Sequence, residues 1–229
     1  MKILHLADLH ARPHWLDWIS AHVGDFDLIC LAGDLLDLLA AAGPRTPASS
    51  KPSDMVRLLR PDPRPGLLRQ VQTVSAWLIS LPTPTVVCSG NHDWWPHAKD
   101  RTDESAAAGW LRALCGKGNV LAVDGGSAEI GGLKVFSLGW NQTTEWPDGT
   151  DVVVCHGPPP STPVAGTDAG LGLGPDQVDL WQELWARPPR FFLCGHMAQL
   201  VLVPAGRTTD AVAQPGVRSF RGSAQPLDY

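Results

Sequence analysis

The residue types best suited to chemistry in this chain stand at the ends of apolar, strand-like runs. Leu28-Ile29-Cys30-Leu31-Ala32 runs into Gly33-Asp34-Leu35-Leu36-Asp37, and Lys2 to Ala7 runs into Asp8-Leu9-His10. Val86-Val87-Cys88 leads to Gly90-Asn91-His92-Asp93, Asp151 to Cys155 delivers His156, and Phe191 to Cys194 delivers Gly195-His196. Taken singly, each has an ordinary explanation. An Asp at a strand-to-helix junction caps a helix, Asn91 suits a left-handed turn, and His156 suits a satisfied core position. Together they put carboxylate, amide and imidazole donors at one sheet edge, where open α/β folds gather their chemistry. Oxygen and nitrogen donors converging without cysteine suit Mn, Fe or Zn in a working site rather than a structural zinc cluster.

Positioning these groups is the task of alternating strands and helices. Lys2 to Ala7 reads as a strand, Trp15, Trp18, Ile19, His22 and Val23 recur at helical spacing, and Leu28 to Ala32 is a second strand. A strand, helix and strand in that order imply a parallel crossover. The segment 43–66 is rich in Pro and Ser and reads as a flexible loop beside the active edge. Leu67 to Leu81 is predicted as an amphipathic helix with Leu68, Val71, Val74, Trp77 and Leu78 on one stripe. Asp103 to Cys115 reads as a further helix. Short strands then follow over Val120 to Val123, Ala128 to Ile130 and Leu133 to Leu138, the last two joined by Gly131-Gly132. A helix is expected near Asp176 to Trp185, and a closing hairpin over Leu200 to Val203 and Thr208 to Val212. No periodicity is evident after Gly216.

The composition narrows the class. With 229 residues, 44% hydrophobic and 18% charged, the chain is read as a single domain over 1–229 with a core that needs no staples. A net charge of −5 gives no electrostatic reason to expect broad nucleic-acid binding. Cys30, Cys88, Cys155 and Cys194 each end an apolar run, which marks them as buried thiols and points to a reducing, cytoplasmic setting. No run approaches the length of a membrane span.

The ordered set Asp8-x-His10, Gly33-Asp34-x-x-Asp37, Gly90-Asn91-His92-Asp93, His156 and Gly195-His196 resembles the calcineurin-like metallophosphoesterases and spans nearly the whole chain. The resemblance implies a four-layer αββα sandwich of two mixed β-sheets flanked by helices. It implies an enzyme that hydrolyses a phosphodiester or phosphomonoester by attack of a metal-bridging hydroxide. Asp8, His10 and Asp34 would bind a first metal, and Asp34, Asn91, His156 and His196 a second. Manganese is the first choice for the pair, with iron or zinc as alternatives. His92 would assist the leaving group, and Asp37 would orient His92. Many members end in Gly-His-x-His, whereas this chain has Gly195-His196-Met197-Ala198, so Ala198 stands where a fourth ligand of the first metal would be. That departure keeps open a degenerate metal-binding regulatory module. A nuclease of the family's DNA-repair branch is the third reading, against which the acidic charge weighs. His156-Gly157-Pro158-Pro159 is similar to a motif of small members that act on small phosphate esters, nucleotides among them.

Other side chains near these motifs have two readings each. Trp94, Trp95, Trp140 and Trp146 fall in edge loops, where an indole packs the loop or stacks on a base or aryl group. Arg12 and Lys99 are the nearest cations and suit either solvent or phosphate. Gly170-Leu171-Gly172-Leu173-Gly174 lacks the preceding strand that a dinucleotide loop requires.

Overall fold

Parallel pairing of the strands that carry the first motifs builds the first sheet. β1 (Lys2–Leu6) and β2 (Leu28–Ala32) pair in parallel from Ile3 opposite Leu28 to Leu6 opposite Leu31. β3 (Thr85–Cys88) continues the parallel array beside β2, and β4 (Val120–Val123) beside β3. The computed structural model describes residues 1–37, 41, 64–93, 108–140, 142, 145–157, 187–196, 201–203, 211–214 and 227–228.

The second sheet is assembled from β5 (Ser127–Ile130), β6 (Leu133–Leu138), β7 (Val152–Cys155), β8 (Phe191–Cys194), β9 (Val201–Val203) and β10 (Ala211–Gln214), in the order β5-β6-β7-β8-β10-β9. β6, β7, β8 and β10 are parallel, and the edge strands β5 and β9 are antiparallel. The expected closing hairpin exists as β9 and β10, although its second strand starts at Ala211 and is also the parallel neighbour of β8. The tail adds a strand that its sequence did not announce. β11 (Leu227–Asp228) pairs antiparallel with the free edge of β1.

Side-chain alternation on β1 and β2 explains the layering. Leu4, Leu6, Ile29 and Leu31 face the helices, against Leu16 and Ile19 of α1 (Pro13–His22) and Val74, Trp77 and Leu78 of α2 (Arg64–Ser80). Leu111, on the short α3 (Gly109–Arg112), joins the same cluster. Pro13 begins α1, where its missing N–H costs nothing. Ile3, Leu28, Cys30, Val86 and Cys88 face the other way and pack on Val135, Val152, Val154, Phe191 and Leu193 of the second sheet. The outer face of that second sheet is buried too, with Phe136, Val153, Phe192 and Cys194 packed around Trp146.

The two-sheet α/β fold expected from the sequence is therefore present. Three details differ. Helix α2 begins at Arg64, inside the segment expected to be loop. Its buried stripe is Leu67, Val74, Trp77 and Leu78, with Leu68 48% exposed, because Leu67 and not Leu68 continues the row through Val71 and Val74. Trp146 stays in the connection between β6 and β7, but it is 1% exposed and packs on Phe192, so its indole belongs to the core and not to an open edge. The rest of the segment 43–66 and the expected helix near Asp176 to Trp185 lie outside the described residues.

Candidate metal centre

The carboxyl ends of β1 and β2 continue side by side as loops. The Asp8 N–H donates to Gly33 O (3.0 Å), His10 N–H to Asp34 O (2.9 Å) and Ala11 N–H to Leu35 O (2.6 Å). The backbone of these loops is left-handed at several donor residues and at Ala11. Asp8, His10, Asp34 and His196 have φ of 57°, 50°, 54° and 72°. Each such conformation costs on the order of 1–3 kcal/mol outside glycine, and such strain collects at functional sites. Gly33 and Gly90 make the approach possible. A Cβ on Gly33 would lie 2.6 Å from His156 Nδ1, and one on Gly90 would collide with the Asp34 carboxylate and backbone N.

Two imidazoles are oriented by backbone carbonyls. His156 Nδ1 sits 2.7 Å from Ala32 O and His10 Nδ1 3.2 Å from Leu36 O. A hydrogen on Nδ1 donates to each carbonyl, which turns Nε2 of both rings toward the site, the usual arrangement for a metal-ligating His. The Nε2 atom of His156 lies 3.0 Å from Asn91 Oδ1, 3.3 Å from Asp34 Oδ1 and 3.2 Å from His196 Nδ1. Four electron-rich atoms from four different loops thus surround one point. Such atoms repel unless a proton or a cation lies among them. Burial by itself would lower His156, but the Asp34 and Asp8 carboxylates overcome it and raise the imidazole to about 9. A divalent cation would satisfy all four donors together. The residues present fit a metal ion.

The ligand atoms form two triads, Asp8 with His10 and Asp34, and Asp34 with His156 and His196. Within each, the donor atoms lie within 4.8 Å of one another. Asp34 belongs to both. Burial pushes the Asp34 carboxyl up, but the neighbouring imidazoles of His156, His92 and His10 outweigh it and hold Asp34 well below the usual carboxylate range. Asp8 moves the other way, raised by burial to about 7. Burial and the charge of His156 lower His196 to about 4. These opposite shifts in one small space are characteristic of working sites.

His92 and Asp37 stand beside the first triad. His10, Asp37 and His92 also place their side-chain donors within 4.8 Å of one another, and the His10 and His92 rings meet edge-on at 4.8 Å. The His92 N–H donates to Asp34 Oδ1 (2.8 Å). His92 is lowered by burial, with Asp34 and Asp37 pulling it back. Its Nδ1 is buried and has no hydrogen-bond partner among the described residues. The structure thus brings together all eight residues singled out by sequence, Asp8, His10, Asp34, Asp37, Asn91, His92, His156 and His196. Met197, Ala198, Trp94, Trp95, Lys99 and Gly170 to Gly174 lie outside the described residues.

Sequence reasoning missed the acids that hold the loops. Asp93 is fully buried, its Oδ1 accepts from Leu35 N (2.8 Å) and Leu36 N (2.9 Å), and its Oδ2 accepts from Gly90 N (2.8 Å). It ties the Asp34 turn to the Asn91-His92 turn. Its signal was its place beside His92, since a buried loop needs acceptors for its N–H groups. Asp124 does the same at the next loop, accepting from Ser89 N at 2.7 Å. A contact between the first and last motifs closes the ring, with His196 N–H donating to Asp8 Oδ2 at 3.1 Å.

One solved crystal structure aligns with a TM-score of 0.60 at 15% identity, covering 94% of this chain and 90% of that one. Another, TT1561 of Thermus thermophilus, aligns with a TM-score of 0.57 at 14% identity over 94% of this chain and 88% of that chain. At such identities the likeness concerns the fold alone. No curated protein matches the chain significantly. The profile of the calcineurin-like phosphoesterases matches residues 1–200, which takes in every motif described above, and the chain belongs to that family.

Proposed function

We propose that this protein is a dinuclear metal-dependent hydrolase of small phosphodiesters or phosphomonoesters. The observation that carries the reading is the position of Asp34 in both ligand triads, since a carboxylate is the group best able to serve two cations at once. Asp8, His10 and Asp34 would hold one ion, and Asp34, Asn91, His156 and His196 the other. The first keeps three protein ligands because Ala198 replaces the fourth. Manganese suits this mixed oxygen and nitrogen set best, with iron or zinc as alternatives. When bound, the ions would neutralise the phosphoryl oxygens and supply an activated water.

The chain's own residues do the rest. Ala32 O and Leu36 O keep His156 and His10 in the tautomer that faces the site. His92 would give a proton to the departing oxygen, which lowers the barrier most for a poor leaving group. Asp37 would hold that imidazole in position and compensate its charge. Among the described residues no helix is long and apolar enough to cross a membrane. Cys30, Cys88, Cys155 and Cys194, buried at the ends of core strands, support a reducing, cytoplasmic compartment.

The test is a metal-reconstituted assay. Protein loaded with Mn²⁺ is expected to hydrolyse bis-aryl phosphates or cyclic nucleotides, and to lose that activity on chelation. Asp34→Asn should lose both metal and turnover. Full activity in that variant would overturn the mechanism. Ala198 favours a second reading, a one-metal regulatory module. One tightly held ion with no turnover of any phosphate ester would select it.

A further inference from the structure

Trp140 stands against the second triad. Its ring centroid lies 5.4 Å from that of His156 and 5.4 Å from that of His196, with interplanar angles of 68° and 39°. The residue is half-buried. Its backbone N–H donates to Ser89 O (3.2 Å) and Ser89 Oγ (3.1 Å). Ser89 N–H in turn donates to Asp124 Oδ1 at 2.7 Å, and the Asp124 side chain is 1% exposed. Gly139 is packed so closely that a Cβ there would meet Asp124 Cγ at 2.6 Å, and its N–H donates to Gln142 Oε1 at 2.8 Å. The loop is therefore fixed to the same segment that leads to Gly90-Asn91-His92. Trp146, further along the same connection, spends its indole N–H on Arg187 O and lies inside the core. Packing explains Trp146. It does not explain a half-buried Trp140 whose backbone is fastened to Ser89 and whose ring lies against two candidate ligands.

The placement also has a direction. His92 packs on His10 of the first triad, and Trp140 packs on His156 and His196 of the second, with Asp34 common to both. If His92 serves the leaving oxygen, the indole lies at the other end of the site, where the substituent that stays on phosphorus would sit. We propose that Trp140 is the specificity wall for this retained substituent and selects phosphodiesters in which it is planar and aromatic, an aryl ring or a nucleobase. An indole face gives such a group stacking area that an alkyl group cannot match. The proposal rests on the phosphoesterase reading above.

Two diesters with the same leaving group and the same charge test it: bis(p-nitrophenyl) phosphate and methyl p-nitrophenyl phosphate, with the Mn²⁺-loaded enzyme. Trp140→Ala is expected to lower kcat/KM for the first about ten-fold, chiefly through KM, as expected for loss of one stacking contact. The second should change by less than about two-fold, because a retained methyl group has no face to stack. Trp140→Phe should keep most of the preference, and bound metal should be unchanged in both variants. Equal losses on both diesters, or loss of metal, would make Trp140 a support for His196 and overturn the proposal, as would no loss on either. A binding arm needs no turnover: calorimetry with phenylphosphonate and methylphosphonate on the Mn²⁺-loaded protein. The wild type should favour the phenyl ligand and Trp140→Ala should lose that preference. Equal binding in the wild type overturns the role of Trp140. Preferential phenyl binding without hydrolysis of any ester keeps Trp140 and sinks the phosphoesterase reading.

Discussion

Asp34 and Asp37 are three residues apart and have different work. Asp34 accepts the His92 N–H, lies 3.3 Å from His156 Nε2 and is shared by both triads, so it is a structural and an electrostatic centre at once. Asp37 has its backbone fastened by Gln70, which accepts from Asp37 N (2.8 Å) and donates to Asp37 O (3.1 Å). That clamp leaves the Asp37 carboxylate near His92 and His10. Asp37→Asn is therefore expected to lower kcat by about 10–100-fold, the range for loss of an orienting partner, with bound metal unchanged. The measurement is steady-state kinetics beside metal content by atomic absorption. Metal lost in proportion to activity would place Asp37 among the ligands instead. The types and spacing of both acids were visible in the sequence. Their proposed division of labour came from the family resemblance and not from local spacing, because it depends on which loop each carboxylate meets, and Asp34 and His92 are 58 residues apart.

Strand β1 shows how one element can carry a cost of its own. His5 shares a strand face with Ile3 and Ala7, which belong to the core between the sheets. Its Nε2 is buried without a hydrogen-bond partner among the described residues, and burial lowers its imidazole from 6.5 to about 3. Between those values the unfolded chain takes up a proton that the folded chain excludes. The stability is therefore fully present above 6.5 and falls as pH drops through the window toward 3, by up to ~1.4 kcal/mol per pH unit. His5→Leu should flatten this acid limb by about one proton, read as the difference in urea-unfolding free energy between about pH 7 and about pH 5. An unchanged slope would mean that the folded strand accommodates charged His5. Strand β1 itself was legible as an apolar run, and α2 from its helical period. The partner of β1 in the tail was not, since two residues contain no period and Leu227–Asp228 is a strand only because the edge of β1 is there to pair with it.

Across the whole molecule, the candidate centre joins the two sheets. Asp8, His10, Asp34 and Asn91 follow strands of the first sheet, His156 and His196 strands of the second, and Asp34 meets His156 across the gap. Ser137 adds a direct tie, its hydroxyl donating to Val87 O of the opposite sheet at 2.7 Å. Ions bound there would cross-link the layers and stabilise only the folded chain. At a free Mn²⁺ concentration about 100 times its Kd the gain is ~2.7 kcal/mol, which for a domain of this size raises Tm by about 5–10 °C. Thermal unfolding with Mn²⁺ and with a chelator checks this, and Asp34→Asn should abolish the difference. A wild-type Tm indifferent to metal would count against a site shared between the sheets.

Apolar runs placed the strands that carry the motifs, and residue type placed the donor at the end of each of those. Those are local properties, written in neighbouring residues. The family resemblance already put Asp34 in both ligand sets; only the folded chain shows that Asp93 and Asp124 are acceptors for buried loop N–H groups, and that Trp140 faces the candidate ligands while Trp146 enters the core. Each of these is a contact between segments far apart in the chain. Its energy comes from burial and from hydrogen bonds that exist only once the two sheets have stacked, so no stretch of sequence contains it.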